Sequence, residues 1–200
     1  MKKNIYERTE RRQKKVRKVL ANRQPDLTIV LENINDPHNL SACLRTCDAV
    51  GIYEVYLVYH STQPFPKIGK KSSASARKWI KLHRFSSIPG CYDELRKQGK
   101  KIYTTHISSE ALSLYEIDLT EPIALVFGNE HSGVSDEALA LADANFLIPQ
   151  VGMIESLNIS VACAISIYEA FRQRFEDGAY KNPKFPMAQL EQLYDEWIVK

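Results

Sequence analysis

Residues 148–165 read IPQVGMIESLNISVACAI, and the parsing of this stretch decides the fold. Its second half is apolar at helical intervals, which predicts a buried helix over 156–175. Yet that helix opens on Glu155, Ser156 and Asn158, directly after a turn containing Pro149 and Gly152. Ser156 reads as the N-cap, and Glu155 is favourable to the positive end of the helix dipole. Asn158 then falls in the first turn, where asparagine is a poor helix former and needs another reason to be present. A tight Pro/Gly loop with inward-turned backbone groups, followed by polar side chains at the mouth of a buried helix, is the chemistry of a ligand cavity.

Working outward, apolar runs at 27–31 (LTIVL), 53–59 (YEVYLVY), 101–107 (KIYTTHI), 122–127 (PIALVF) and 146–148 read as strands. Helical periods lie between them, over 39–50, 91–99 and 137–142, with Ser135 as a cap for the last. Strands alternating with helices predict an α/β domain with a mostly parallel sheet and helices on both faces. In such sheets ligands bind beyond the carboxyl ends of the strands. The loops 33–39, 105–109, 128–133 and 149–155 are therefore the candidates, and each is unusually polar for a plain turn.

Two hundred residues, 44% of them hydrophobic, suit one globular domain over 25–178, with a basic arm at 1–24 and a linker and amphipathic helix at 179–200. No apolar run reaches the ~18 residues of a membrane span, and the first residues lack an apolar signal core; a cytoplasmic protein without a membrane partner is expected. Four cysteines with no metal-ligand spacing read as small core residues, so no metal is expected. The arm carries ten Lys/Arg against Glu7 and Glu10, a local charge of +8, which leaves −5 for the rest of a chain whose total is +3. Such an arm points to a polyanion, usually nucleic acid. Val16, Val19 and Leu20 would dock its other side. The serine- and lysine-rich segment 63–75 reads as a long loop that contacts RNA.

No Rossmann GxGxxG, phosphate-binding GxxxxGK[ST] or hydrolase GxSxG is present, which argues against those enzymes. In 36–51 (DPHNLSACLRTCDAVG), Asn39 is placed as an N-cap. Ser41, Arg45 and Asp48 share a polar helix face, either as a plain surface pair or with Arg45 as a phosphate or hydroxyl partner. In 128–133 (GNEHSG), two glycines bracket polar residues, as an ordinary βα loop or as one that a ligand approaches closely.

Taken in order, NLSACLRTCDAVG, LVFGNEHSGVSDEAL and IPQVGMIESLNISVACAISIYEAFRQR resemble the three motifs of the SPOUT superfamily of RNA methyltransferases. With RQPDL at 23–27 and YEAFRQR at 168–174, the chain is more specifically similar to the TrmH family, the tRNA guanosine-18 2′-O-methyltransferases. The resemblance implies a C-terminal deep trefoil knot, a homodimer, S-adenosylmethionine as methyl donor and tRNA as substrate. It implies that Thr105, Gly128, Ile148 and Leu157 touch the cofactor, and that Asn39, Arg45, Glu130, Ser156 and Asn158 form the catalytic surroundings. Arg11, Arg12, Lys14, Lys15, Lys18 and Arg172 would hold RNA, while His131 takes no role and Glu155 stands where glutamine is familiar. The competing expectations are methylation of another tRNA or a ribosomal RNA site, a non-catalytic RNA-binding protein on the same fold, and a small-molecule α/β enzyme.

Overall fold

The computed structural model describes residues 9–60, 76–108 and 110–200. The segment 63–75, together with Lys2, Lys3, Arg8 and Ser109, lies outside these. Seven strands, β1 (Leu27–Glu32), β2 (Glu54–Val58), β3 (Lys81–Phe85), β4 (Lys101–Thr105), β5 (Leu112–Ser113), β6 (Ile123–Phe127) and β7 (Ala144–Leu147), form one sheet in the order β3-β2-β1-β6-β4-β7-β5. Every neighbouring pair is parallel. The helices are α1 (Glu10–Ala21), α2 (Pro37–Val50), α3 (Ile88–Lys97), α4 (Asp136–Leu141), α5 (Ile159–Glu176) and α6 (Met187–Ile198). The α/β class and parallel sheet read from the sequence are borne out.

Side chains alternate across the central strands with period two, and each set finds its own helices. Ile29, Leu31, Val55, Leu57, Leu125 and Phe127 pack with Leu40, Cys43 and Leu44 of α2 and Cys163 and Ile167 of α5. Val30, Tyr56, Val58, Ala124 and Val126 face the other way, onto Ile88, Tyr92 and Leu95 of α3 and Ala138 of α4. All four cysteines are free and buried, as small core residues. A third cluster joins α1 to α6 through Val16, Leu20, Leu193, Tyr194 and Trp197, so the basic arm docks by the apolar side expected of it.

Several local expectations are corrected. The cap of α2 is Asp36, whose carboxylate accepts from the His38 amide at 2.8 Å; Asn39 already lies inside the helix. Pro37 at N1 explains this, because proline suits the first helical turn and needs a cap just before it. Ser41 is buried rather than on the polar face. Asp48 pairs with Arg23, not Arg45. Arg23, counted above with the basic arm, is fully buried, donates to the Ile52 carbonyl at 3.0 Å and lies under the Trp197 ring. The chain turns out of α2 through Gly51 at φ +90°, where a Cβ would come within 2.5 Å of the Asn22 carbonyl.

Arg174, also fully buried, ties the end of α5 to the sheet. It donates to the carbonyls of Leu119 (2.8 Å) and Glu121 (2.6 Å) and to the Asp26 carboxylate (2.7 Å). Burial alone would raise the pKa of Asp26; Arg174 and Lys184 more than offset this and hold it below the ordinary value. Glu54 follows the same logic: burial raises it, but His83 and Lys81 bring it down to about 2. A carboxyl depressed in the folded state stabilises above its unfolded pKa and loses that contribution as pH falls toward the folded value. Stability therefore drops between about pH 4.5 and about pH 2. Denaturant melts of Glu54→Gln should show a lower plateau near neutrality and a flatter decline across that window.

Candidate functional site

Strands β6, β4 and β7 lie side by side, and their carboxyl ends release three loops into one cavity of about 360 Å³. Thr105 and His106 come from the end of β4, the loop 128–134 follows β6, and Ile148, Gln150, Ser156 and Leu157 come from the segment ahead of α5. Phe127, Phe146 and Ile159 give the cavity an apolar wall. The position, beyond the carboxyl ends of the strands, matches the rule for open parallel sheets.

The β6–α4 loop is locked by its own backbone. The Asn129 amide donates to the Gly133 carbonyl at 3.0 Å, and the Gly133 amide donates back at 3.1 Å. The Asn129 side chain accepts from the amides of His131 and Ser132, both at 2.9 Å, and donates to the Ser132 hydroxyl. Gly133 sits at φ +69°, and a Cβ on Gly128 would fall 1.8 Å from the Gly133 carbonyl carbon. Only glycine fits at 128. On the far side of the loop the buried Glu32, at the end of β1, accepts from the Ser135 amide at 2.9 Å and faces His60 at 3.2 Å.

At the rim, polar side chains form a continuous chain. The Asn39 side-chain amide of α2 donates to Glu130 at 2.6 Å, and the Asn158 side-chain amide donates to Asn39 Oδ1 at 3.2 Å. The Asn158 oxygen accepts from the Ser160 amide at 2.9 Å and from its hydroxyl at 2.7 Å. Asn158 is thus the N-cap of α5, which begins at Ile159. The expected helix start at Ser156 and the cap assigned to Ser156 are corrected accordingly. Residues 148–158 stay outside any helix or strand, and Ser156 is left exposed on the cavity wall.

All four residues expected to touch a cofactor, Thr105, Gly128, Ile148 and Leu157, line this cavity. Thr105 donates its hydroxyl to the Val126 carbonyl at 3.1 Å, pinning β4 to β6. Of the five expected catalytic residues, Glu130 and Ser156 line the cavity, and Asn39 and Asn158 join them by hydrogen bonds. Arg45 is not gathered in: it is exposed on α2 and has no hydrogen bond or ion pair among the described residues. Arg172 bonds Glu169 (2.7 and 2.9 Å) and Glu176 (2.7 Å), which balance its charge. Arg11, Lys15 and Lys18 are exposed on α1; Lys14 pairs with Glu10, and Arg12 donates toward the carbonyls of Trp197 and Ile198. Ser160, absent from the sequence expectation, was signalled by the tendency of an asparagine side chain to bond the backbone two residues on. No cluster of metal-ligating side chains occurs among the described residues.

Comparison with known proteins agrees with this geometry. The family model of the SpoU rRNA Methylase family matches residues 26–168. The chain belongs to that family. The tRNA (guanosine(18)-2′-O)-methyltransferase of Thermus thermophilus is 43% identical to this SpoU-family chain over 196 residues, which is 98% of the chain and 100% of the relative. The solved TrmH/SpoU tRNA modifying enzyme of A. aeolicus superposes with a TM-score of 0.88 at 37% identity, covering 95% of this chain and 96% of that one. An AdoMet-bound rRNA methyltransferase from Sinorhizobium meliloti superposes at 0.64 with 28% identity, over 78% of this chain and 59% of its own. The matched region spans α2, the β6–α4 loop and most of α5, the elements that build the cavity.

The cap makes a prediction for stability. Asn158→Ala should cost about 1 kcal/mol in urea denaturation, whereas Asn158→Ser, which still caps, should stay within about 0.5 kcal/mol. Equal loss in both would show that the Asn39 contact, not the cap, is what matters for folding.

Proposed function

We propose that this protein is a tRNA 2′-O-methyltransferase that uses S-adenosylmethionine to methylate the ribose of guanosine 18 in the D-loop. The observation that carries the reading is the cavity at the carboxyl ends of β4, β6 and β7 joined to the Glu130–Asn39–Asn158 network, in a chain that matches a guanosine-18 enzyme over 98% of its length. The cavity suits the cofactor on its own chemistry. Its polar edge can read an adenine, its phenylalanines give an apolar wall, and Gly128 lets the loop on its border close against Gly133. Thr105, Gly128, Ile148 and Leu157 would hold it. Bound there, S-adenosylmethionine supplies an electrophilic methyl group.

The rest falls to this chain's residues. A ribose 2′-hydroxyl is a weak nucleophile and has to lose its proton as its oxygen takes the methyl group; a positioned acceptor contributes about 10²–10⁴-fold. Asn39 and Asn158, fixed by their mutual hydrogen bonds, orient Glu130 and leave Ser156 facing the same space. Arg45, exposed on the helix that carries Asn39, binds the phosphate next to the target ribose and the oxygen being deprotonated. Because guanidinium hardly deprotonates in proteins, its first role is electrostatic. Arg11, Lys15 and Lys18 on α1 add phosphate contacts.

The same proposal takes the working unit as a homodimer in the cytoplasm, with the C-terminal part drawn into a deep trefoil knot. Val161, Tyr168 and Phe175, spaced seven apart on α5 and 45%, 50% and 62% exposed, support the dimer as an apolar stripe wanting a partner. A partner placed there offers Arg45 a substrate cavity other than its own. The knot is supported by the route of the chain, which leaves β7 on the far side of β4 and returns to pack α5 against α2. Methylation of another tRNA site or of ribosomal RNA would use the same residues, but the end-to-end match with the guanosine-18 relative favours the first reading.

Methyl transfer from labelled S-adenosylmethionine to an unmodified tRNA transcript, with the product nucleotide mapped, tests this. The expected product is 2′-O-methylguanosine at position 18, with kcat lowered about 10²-fold in Arg45→Ala through loss of charge stabilisation. Label on another nucleotide, or full turnover in Arg45→Lys and Arg45→Ala alike, contradicts it.

A further inference from the structure

We propose that the cleft between α1, the 3-10 turn Ala76–Lys78 and α6 binds one unpaired nucleotide of the RNA, at a site separate from the cavity of methyl transfer. The inference rests on the RNA-methyltransferase reading and deepens it. The cleft holds a cavity of about 330 Å³ whose lining includes Arg12, Lys15, Val19, Asp48, Trp79 and Trp197. Trp79 stands just before β3, and Asp48 lies in the last turn of α2, ahead of β2. The cleft is therefore beyond the amino ends of the strands, while the methyl-transfer cavity is beyond their carboxyl ends. A five-residue strand spans about 17 Å, so a nucleotide held here is not the one that reacts in the same chain's cavity.

The chain has two tryptophans, and both are in this cleft, their ring centroids 5.0 Å apart. Cations crowd around them. The Arg12 guanidinium is 5.9 Å from the Trp79 centroid, and the Lys200 ammonium is 6.0 Å from Trp79 and 5.5 Å from Trp197. Lys200 also donates to the Lys78 carbonyl at 2.9 Å, and Lys15 has no hydrogen bond or ion pair among the described residues. Among the described residues the one carboxylate on the lining, Asp48, is taken by the buried Arg23. The half-buried Trp79 ring, backed by the buried Trp197, thus offers indole surface beside Arg12 and Lys15.

That pairing identifies the ligand class. A free anion would not need the indoles, and an apolar peptide would not need the cations. An unstacked nucleotide uses both: its base lies on the aromatic surface whatever its identity, and its phosphate meets Arg12 and Lys15. The loops of a folded RNA supply such bases. The arm of positive charge read from the sequence therefore acts as more than a diffuse attractor; α1 and Trp79 hold a nucleotide between them, against the end of α6.

The test uses the full-length protein, an unmodified tRNA transcript, and the variants Trp79→Ala, Trp79→Phe and Lys15→Ala, with S-adenosylmethionine affinity measured alongside. Tryptophan emission of the wild type should be quenched saturably by tRNA, since every tryptophan is at the site. Trp79→Ala should raise KM for tRNA about tenfold, with kcat and cofactor affinity unchanged, and Trp79→Phe should stay within about threefold. Lys15→Ala should weaken binding and reduce the salt slope by about one. Methylation by the wild type with no change in emission, or a folded Trp79→Ala with wild-type KM, overturns this inference while leaving the function standing. Should Trp79→Ala not fold, a wild-type KM and salt slope in Lys15→Ala, whose side chain is exposed, overturns it equally. A wild type that neither binds nor methylates RNA overturns the functional reading and this inference with it.

Discussion

The loop from Gly128 to Val134 closes on itself so tightly that no side chain can stand at its first residue. The rest of the site depends on that approach. β6, the strand that delivers Gly128, is held between β1 and β4 with every residue buried, so the loop starts from a rigid edge. The reciprocal Asn129–Gly133 bonds fix its exit, and Glu32 holds the amide of Ser135 at the start of α4. With both ends pinned, Glu130 projects toward α2 and meets Asn39. A larger residue at 128 would move all of this at once.

Helix α5 is the second support, and it works at both ends. At its start, Asn158 caps the helix with its oxygen and reaches Asn39 with its nitrogen, so one side chain ends the loop and joins the network. At its other end Arg174 is buried among carbonyls and the Asp26 carboxylate below β1 and β6. The guanidinium is fully buried, so removing Asp26 would strand its charge. The helix that closes the cavity is thereby referenced to the same strands that open it.

Much of this was legible in the sequence because the signals are local. Apolar runs of strand length between helical periods gave the parallel α/β class, and polar loops after the strands located the cavity. Gly51 and Ser135 read correctly from their neighbours alone. What escaped was set by partners far along the chain. Arg23 and Arg174 look like surface cations, and only Asp48 and Asp26, 25 and 148 residues away, explain their burial. The Glu32–Ser135 bond spans 103 residues and carries no local mark. The caps failed for a different reason. Around Ser156 and Asn158, as around Asp36 and Asn39, two residues of similar capping ability compete; Pro37 at N1 decides for Asp36, and the contact with Asn39 favours Asn158. The site residues were named through resemblance to the TrmH family, and the structure brings eight of those nine together at one cavity and its rim while Arg45 stays apart.

The central claim is that the cavity at the carboxyl ends of β4, β6 and β7 holds the methyl donor. Hydrogen exchange with and without saturating S-adenosylmethionine tests it most directly, because it reads backbone groups rather than side chains. The account predicts slowed exchange confined to amides near 105–107, 128–134 and 148–158, with α1 and α6 unchanged. Protection elsewhere, or none in these three segments despite measured binding, would contradict it.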